Sequence, residues 1–486
     1  MTAWQAAVRG FRFAGAAIAG LAGTLTIAGA QGPDRSVPPT PGPPAALTLP
    51  AVEKHALSNG LLVWLIESHE VPLVQVNVTL LSGSGDDPTG KFGLASLTAA
   101  MLDEGAGKRS ALEISDAIDV LGASLTTASS FDSTSARLNV PLRSLEDALP
   151  ILADVVLQPS FAPPDLERLR EERLTSLLQA QAEPSAIATT SFARLLFGTH
   201  RYGTGAIGTE QTVTSFTPAD LKVFHAAHYV PSRAALVVVG DVIAEKLLPL
   251  LESEFGRWKG GGAVATPLPS PAPLGALRIV LVDTPGAAQS QVRVGNVGVA
   301  RSTPEYFALE TLNTVLGGSF TSRLNLNLRE VHGYAYGASS AFVMRRSTGP
   351  FLAAANVQTD KTAEAVREIL NELNAIRAPI PAPELSRATN NLALSFPAEF
   401  ETTTQLSRKL EELIVYDLPD EYFSRYVAGV RSVTAGQVQE AAATYIVPSK
   451  VLVLVVGDRQ VVEPGLRALN LAPLEVMTVA EATGRR

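Results

Sequence analysis

The protein is a chain of 486 residues with 39 Lys and Arg, 47 Asp and Glu, no Cys and a formal charge of -8. Its 46% hydrophobic and 18% charged residues exclude a disordered or fibrous chain and indicate two to four domains at roughly 150 residues each. The acidic balance argues against nucleic acid as a partner, and the absence of Cys excludes disulfides, thiolate metal sites and thiol nucleophiles.

The first 30 residues have the pattern of a secretory signal peptide. Arg9 and Arg12 precede an apolar stretch that ends with small residues at Ala28 and Ala30, as a signal peptidase requires. We therefore predict cleavage after Ala30 and a periplasmic protein, with an uncleaved membrane anchor as the alternative. Cleavage would remove two Arg and no acid, so the charge would change from -8 to -10. The Pro-rich residues 31–50 predict an extended tether.

Two short runs rich in β-branched residues follow at 61–67 and 73–81. Val74, Val76 and Val78 alternate with polar residues in the second run, so we predict a half-buried antiparallel pair of strands. Strands covered on one face by segregated helices define the α+β fold class. Helical periodicity predicts helices at 93–103, 164–181 and 361–376.

The helix predicted at 93–103 carries a family resemblance. It follows the glycine- and acid-rich turn GSGDDP at 83–88, and the sequence here resembles the pitrilysin-type zinc peptidases. Active members carry HxxEH on this helix, with the two His as zinc ligands and the Glu activating the bound water. The matching positions are Ser96, Ala99 and Ala100. The resemblance therefore implies a helix that has kept its place but lost its metal donors.

The resemblance places a further Glu ligand of active members near residues 175–177, which read TSL here. Glu171 and Glu172 lie one turn earlier, and without imidazole partners they are predicted to be a solvated helix face. His225 and His228 form the one His pair spaced for a shared helix face. The pair has no third ligand nearby, so we predict no metal site there.

The chain contains an internal duplication. Residues 215–241 align without gaps on 432–458, an offset of 217, and both runs contain VPS and end in VVGD. A stretch rich in Gly and Pro separates the two copies and predicts a domain boundary. The predicted organisation is a first domain, a linker, a second domain and a tail, at 51–259, 260–275, 276–475 and 476–486.

The segment LGGSFTSRL at 316–324, continuing to Arg329 and Tyr336, looks like the second-domain signature of the same family. There an Arg and a Tyr seven residues apart reach across a chamber to the bound peptide, so the resemblance implies that Arg329 and Tyr336 bind substrate. An Arg fork and a phenol can donate to peptide carbonyls or a carboxylate without a metal. The alternative is that Arg329 pairs with an interdomain acid and Tyr336 is a half-buried strand residue.

The resemblance covers about residues 51–475. It implies two homologous α+β domains, each an antiparallel-rich sheet covered by helices, facing each other as half of a clam-shell. It also implies that the chain is a non-catalytic subunit of a heterodimeric zinc peptidase. The chain itself would bind no cofactor and would bind peptide through Arg329 and Tyr336. Its partner would be a zinc-bearing homologue. The alternative function is a structural or assembly subunit without a role in cleavage. A third alternative, a self-sufficient hydrolase with an unfamiliar site, is disfavoured by the missing donors.

Overall fold

The computed structural model describes residues 49–261 and 268–485. The predicted signal peptide at 1–30 lies outside the described residues, and so does the predicted tether at 31–50 except for its last two residues. Within the described ranges, no helix combines the length and the apolarity that a bilayer-spanning segment needs.

The first sheet has six strands: β1 (Glu53–Ala56), β2 (Leu62–Glu67), β3 (Leu73–Leu80), β4 (Ser124–Ser129), β5 (Thr134–Pro141) and β6 (Ala234–Gly240). Their order is β1-β2-β6-β3-β5-β4, and β6 pairs in parallel with β2 and antiparallel with β3. The predicted pairing of residues 61–67 with 73–81 is therefore wrong, because β6 lies between these two strands. The sequence of β6, AALVVVG, has no polar side chain, which suits the centre of a sheet that is buried on both faces.

The second sheet also has six strands: β7 (Arg278–Asp283), β8 (Gln289–Val297), β9 (Ala335–Phe342), β10 (Pro350–Gln358), β11 (Leu452–Gly457) and β12 (Leu474–Met477). Their order is β12-β7-β11-β8-β10-β9. Apart from the edge strands β1 and β12, the two orders are the same, since β2-β6-β3-β5-β4 corresponds to β7-β11-β8-β10-β9. The predicted α+β class with two homologous, antiparallel-rich domains is confirmed.

Eight helices of the first domain are α1 (Leu94–Ala100), α2 (Ala111–Val120), α3 (Leu145–Leu157), α4 (Pro163–Gln179), α5 (Pro184–Phe197), α6 (Glu210–Ser215), α7 (Pro218–His228) and α8 (Ala244–Phe255). The helices that follow among the described residues are α9 (Tyr306–Leu316), α10 (Arg323–Asn325), α11 (Thr362–Ala375), α12 (Ala382–Ser395), α13 (Thr403–Tyr416), α14 (Tyr422–Arg431), α15 (Ala435–Tyr445), α16 (Arg459–Ala468) and α17 (Val479–Thr483). The duplication extends to the helices, because 217 added to the bounds of α7, 218 and 228, gives 435 and 445, the bounds of α15.

Each sheet is covered on one face by its own helices and on the other by a helix of the other domain. α13 packs on β3 and β6, with Leu410 in one apolar cluster with Val237. α5 packs on β8 and β11, with Phe192 in one cluster with Leu454. Adding 217 to the bounds of α5 gives 401 and 414, close to the 403 and 416 of α13, so the exchange is reciprocal.

The exchange explains the polar residues of β3. Gln75, Asn77 and Thr79 are buried. The prediction that this strand is half-buried is therefore wrong, because its polar face is buried too. The carboxylate of Glu411 on α13 accepts from Asn77 Nδ2 at 2.7 Å and from Arg137 Nη2 at 2.6 Å. Alternation of apolar and polar residues normally marks a solvated face, but here the polar face meets a helix that supplies hydrogen-bond partners.

Two boundary predictions change. The predicted tail at 476–486 begins inside β12, which pairs in parallel with β7, and Ala482 of α17 is buried against the second sheet. The chain up to α17 therefore belongs to the second domain, and β12 covers an edge of the sheet that would otherwise be unpaired. The described end of the predicted linker at 260–275 is also packed, since Leu268 joins the same apolar cluster and the carbonyl of Pro269 lies 2.8 Å from Nε2 of His200.

Candidate functional site

The start of α1 is fixed by a buried ion pair. Gly93 precedes the helix with a φ of 100°, a left-handed conformation that favours glycine. The carboxylate of Asp87 accepts from the N–H groups of Gly93 and Ala95, at 2.7 Å each. Nη2 of Arg201 donates to Asp87 at 2.6 Å, and both of these side chains are buried. The first turn of α1 is thereby held in place independently of any metal.

The three positions that match HxxEH lie on α1 as predicted. Ser96 and Ala99 are buried and Ala100 is half-buried, and α1 packs against α7 and β4. Nη1 of Arg173, on α4, donates to the Ser96 hydroxyl at 2.8 Å and to the carbonyl of Gly93 at 3.4 Å. A guanidinium group therefore contacts the position where the resemblance places the first zinc ligand of active members.

Arg173 is a half-buried cation. Burial lowers the pKa of its guanidinium to about 10, and the charge of Asp87 acts in the opposite direction. Asp87 does not form an ion pair with Arg173, because its oxygens already accept from Arg201 and from the backbone of α1. At neutral pH Arg173 is protonated and contributes a positive charge beside Ser96.

The residues around α1 do not fit a zinc ion. Zinc sites are built from Cys, His, Asp or Glu donors, and Ser96, Ala99 and Ala100 provide none. Across the described ranges, no group of three His, Cys, Asp or Glu side chains is arranged to hold a metal. The positive charge of Arg173 further opposes a cation at this position.

The acidic pair on α4 is a solvated helix face, as predicted. Glu171 and Glu172 are exposed, and Glu172 accepts from Arg168 at 2.8 Å one turn away on the same helix. Arg168 also contacts Glu104, just beyond α1. Arg168 thus links α4 to Glu104, while the α4 residue that contacts Ser96 is Arg173 and neither of the two Glu.

The two His of α7 have separate structural roles. His225 lies 2.8 Å from the carbonyl of Val156 through Nε2, and His228 lies 3.0 Å from Nη1 of Arg233 through Nδ1. Burial lowers the pKa of both imidazoles. The prediction that this pair is not a metal site agrees with the distinct partners of the two rings.

In the second domain, two glycines shape the loop after α9. A Cβ on Gly317 would collide with the backbone nitrogen of Ser340 in β9, and one on Gly318 would meet the side chain of Asn313. The N–H of Ser340 donates to the carbonyl of Gly317 at 3.2 Å, so the loop lies directly against the edge strand. Phe320 stands in this loop with 65% of its surface exposed.

Arg329 and Tyr336 lie next to each other and next to Phe320. Arg329 is on the π-helix Leu326–Val331, a wide helical turn that often occurs at functional sites. Its guanidinium carbon is 4.7 Å from the ring centre of Phe320 and 5.3 Å from that of Tyr336. Tyr336 is 88% exposed. The loop, the π-helix and β9 thus bring one cation and two aromatic rings to a single surface, which we call the Arg–Tyr surface.

The alternative prediction gave Arg329 an interdomain acidic partner and made Tyr336 a half-buried strand residue, and the structure differs from both parts. Nε of Arg329 pairs with Glu330, its neighbour in sequence, at 3.1 Å and not with an interdomain acid. Tyr336 is exposed rather than half-buried. Tyr336 makes little contribution to packing, whereas the Arg329 side chain is half-buried against the two rings. Contact with a peptide stays a prediction for both.

Two residues of these sites were not singled out from the sequence. Arg173 stands one turn before residues 175–177, where a carboxylate was sought, and no spacing rule links it to Ser96. Phe320 lies inside the segment LGGSFTSRL, where an apolar residue between polar neighbours in a loop was the available signal.

The chain matches two family profiles and several proteins of known sequence. The profile of insulinase (peptidase family M16) matches residues 62–210, and that of the peptidase M16 inactive domain matches residues 215–392. An uncharacterized zinc protease of Mycobacterium leprae is 29% identical over 320 residues, which are 66% of this chain and 72% of that protein. An uncharacterized zinc protease of Bacillus subtilis is 25% identical over 362 residues, 74% of this chain and 87% of that protein.

Solved structures share the fold along most of the chain. The peptidase M16 inactive domain from Pseudomonas fluorescens has a TM-score of 0.79 at 25% identity, and the match covers 84% of this chain and 98% of that one. A protease from Helicobacter pylori has the same TM-score of 0.79 at 21% identity, with 84% and 100% covered.

Proposed function

The chain is a member of peptidase family M16, and we propose that it is a non-catalytic, substrate-binding subunit of a peptidase whose zinc is carried by a partner chain. The family assignment confirms the resemblance to pitrilysin-type peptidases. The loss of donors at Ser96, Ala99 and Ala100 identifies the chain as a non-catalytic relative, while peptide binding and the partner belong to the proposal.

The Arg–Tyr surface is the observation that carries the proposal. Tyr336 is 88% exposed and Phe320 is 65% exposed, so neither contributes much to the core. Arg329 lies between their rings, where its fork has donors for a peptide carbonyl or carboxylate. Exposed aromatic side chains around a cation are typical of binding surfaces rather than of a solvated face.

The first domain is the reason for proposing a partner. Peptide hydrolysis in this family needs the metal donors that α1 has lost, so a chain that only holds the peptide needs a zinc-bearing homologue beside it. We therefore propose a heterodimer in which Arg329 and Tyr336 position the peptide. Correct positioning of a reactant can account for several powers of ten in rate. The structural or assembly subunit is the alternative, and it makes no use of Arg329 and Tyr336.

The proposal includes export to the periplasm. Its support is the sequence of residues 1–30, with Arg9, Arg12, an apolar stretch and small residues before position 31. Cell fractionation and the N-terminal sequence of the mature protein test this part independently. A cytoplasmic protein that keeps Met1 would contradict it.

The main experiment measures peptide cleavage by the purified mature chain alone, by a zinc-bearing homologue from the same cell alone, and by the mixture. Metal content is determined in parallel. We expect no cleavage and no zinc for this chain alone, and cleavage with one zinc per pair in the mixture. In the mixture, Arg329→Ala should reduce kcat/KM by about tenfold or more, because a charge-assisted contact to substrate is lost.

Two controls make this result specific. Arg425→Ala removes an exposed Arg of α14 that pairs with Glu421 just before this helix, and it should leave cleavage unchanged. Tyr336→Phe keeps the ring and removes the hydroxyl, which separates hydrogen bonding from stacking. If the pair of chains assembles but cleavage is unaffected by Arg329→Ala and Tyr336→Ala, the assembly-subunit alternative replaces the proposal.

A further inference from the structure

Only part of the Arg173 guanidinium is hydrogen-bonded within the described residues. Both contacts to α1, with the Ser96 hydroxyl and the Gly93 carbonyl, come from Nη1. Nε and Nη2 make no hydrogen bond to any residue in 49–261 or 268–485, and neither is among the buried nitrogens of those ranges that lack a partner. The engaged nitrogen fixes the group against α1, and the edge formed by Nε and Nη2 remains for another acceptor.

Two buried arginines near α1, in contrast to Arg173, are each paired with a carboxylate. Arg201 donates to Asp87 at 2.6 Å, and Arg233 donates to Asp86 at 3.2 Å. Within the described part of the chain, Arg173 has no such carboxylate within ion-pair distance. Asp87, the carboxylate at the first turn of α1, is paired with Arg201, so Arg173 lacks an ion-pair partner among the described residues.

We propose that Arg173, held by Ser96 on α1, forms a carboxylate-binding subsite for peptide at the place where zinc-bearing relatives hold their metal. The inference rests on the proposed function, since it takes the ligand to be a bound peptide. Nε and Nη2 of an arginine present two parallel donors at the spacing of the two oxygens of a carboxylate.

The chemistry of the site favours a carboxylate over other acceptors. A single guanidinium matches one negative charge, and the neighbouring Ser96 and Gly93 atoms contribute no second cation that a phosphate dianion would call for. A peptide carbonyl would accept one donor and leave the charge uncompensated. The carboxylate at the C-terminus of a peptide and that of an Asp or Glu side chain share this chemistry, and the experiment separates the two sources.

The test is equilibrium binding, by fluorescence anisotropy, of three labelled peptides to the full-length mature chain. The first has no Asp or Glu and a free C-terminus, the second is the same peptide with an amidated C-terminus, and the third is amidated with one internal Glu. We expect at least one carboxylate peptide to bind about tenfold more tightly than the second peptide, because it gains a charge-assisted bidentate pair. A gain for the first peptide identifies the C-terminus, and a gain for the third identifies a side chain.

Variants assign the preference to Arg173. Arg173→Met should abolish the preference, and Arg173→Lys, which keeps the charge but loses the fork, should reduce it. Arg293→Met is the matched control, because Arg293 is half-buried in the second domain and makes its contacts with Gln291 and Val292. It should keep the preference. Arg173→Lys also serves as the decisive variant if Arg173→Met does not fold.

Failure of this inference can be told from failure of the proposed function. Arg329→Ala should weaken all three peptides by a similar factor and leave their ratio unchanged, because Arg329 lies in the other domain. Equal binding of all three peptides to the unmodified chain, or a ratio unaltered by Arg173→Met and Arg173→Lys, would overturn the subsite. Weaker binding of all three peptides to Arg329→Ala, with the ratio of their affinities unchanged, supports both proposals.

Discussion

The two domains share their strand order but hold their key side chains in opposite ways. On α1 of the first domain, the degenerate zinc positions are packed, and the helix start is fixed by the buried pair of Asp87 and Arg201. In the second domain, Tyr336 is exposed and Arg329 is half-buried, and Arg329 pairs with its exposed neighbour Glu330 rather than with a buried carboxylate. The comparison teaches that the copy without metal donors keeps α1 as a structural helix, while the other copy presents an aromatic and a cationic side chain for which we propose a binding role.

The largest predicted effect on stability comes from removing the buried ion pair at the start of α1. Asp87→Ala should lower the free energy of unfolding by about 3–5 kcal/mol, because Arg201 would be left as an unpaired buried charge and the start of α1 would lose its cap. Urea denaturation followed by circular dichroism measures the change. Asp458→Ala is the matched control, since Asp458 caps α16 near the surface by accepting from the N–H of Gln460 at 2.9 Å. It should cost about 1 kcal/mol.

A smaller effect concerns the metal. Ser96→His, Ala100→His and Leu177→Glu together would install metal donors. This triple variant should bind zinc about tenfold or more weakly than the same variant with Arg173→Leu added, because the guanidinium of Arg173 would repel the zinc ion. Chelator competition measures zinc affinity in both. Arg168→Leu in place of Arg173→Leu is the control, since Arg168 is already paired with Glu172 and should not change the affinity in the same way. Equal zinc affinities with and without Arg173 would show that its charge does not act at this position.

A third prediction concerns how the stability of the chain depends on pH through the two His of α7 in the first domain. Burial lowers the pKa of His225 and His228, so as pH falls from about 7 the unfolded chain takes up protons that the folded chain does not. Stability should therefore fall as pH decreases below the ordinary His pKa of about 6.5. The equivalent positions in the second domain are Ala442 and Tyr445, so no imidazole stands there.

The check is the free energy of unfolding at pH 7, 6 and 5 for the unmodified chain and for His225→Gln with His228→Gln. The double variant should show a smaller decrease between pH 7 and 5, although it is less stable at pH 7 because the contacts with Val156 and Arg233 change. The same pH dependence in both proteins would show that these two imidazoles do not carry the effect.

The sequence was sufficient for features that are local or repeated. The VPS and VVGD segments predicted the two homologous domains, and the periodicity at 93–103 predicted α1 with Ser96, Ala99 and Ala100 on it. The insertion of β6 between β2 and β3 was not predictable from adjacent runs, because β6 comes from a segment far along the chain. The exchange of α5 and α13 was hidden for the same reason, and the polar residues of β3 indicated a solvated face when they in fact meet Glu411.

The candidate sites follow the same division. Arg329 and Tyr336 were found because a short segment carries them together, and the structure adds only Phe320 to that surface. The contact between Arg173 and Ser96 joins residues on α4 and α1 whose separation has no periodic signature. Pattern reasoning looked for a carboxylate near residues 175–177 and therefore passed over a cation one turn away.

The smallest effect on stability is expected at the Arg–Tyr surface, and it is the sharpest test of the comparison. Arg329→Ala and Tyr336→Ala should each change the free energy of unfolding by less than about 1 kcal/mol, because the Tyr336 ring is exposed and the ion pair of Arg329 with exposed Glu330 contributes little to folding. Leu328→Ala, next to Arg329 but fully buried, should cost about 2–5 kcal/mol through the cavity it leaves. Urea denaturation compares the three variants. A cost at Arg329 or Tyr336 approaching that at Leu328 would mean that the pair is retained for folding, and the contrast between the two domains would then no longer favour a peptide-binding surface.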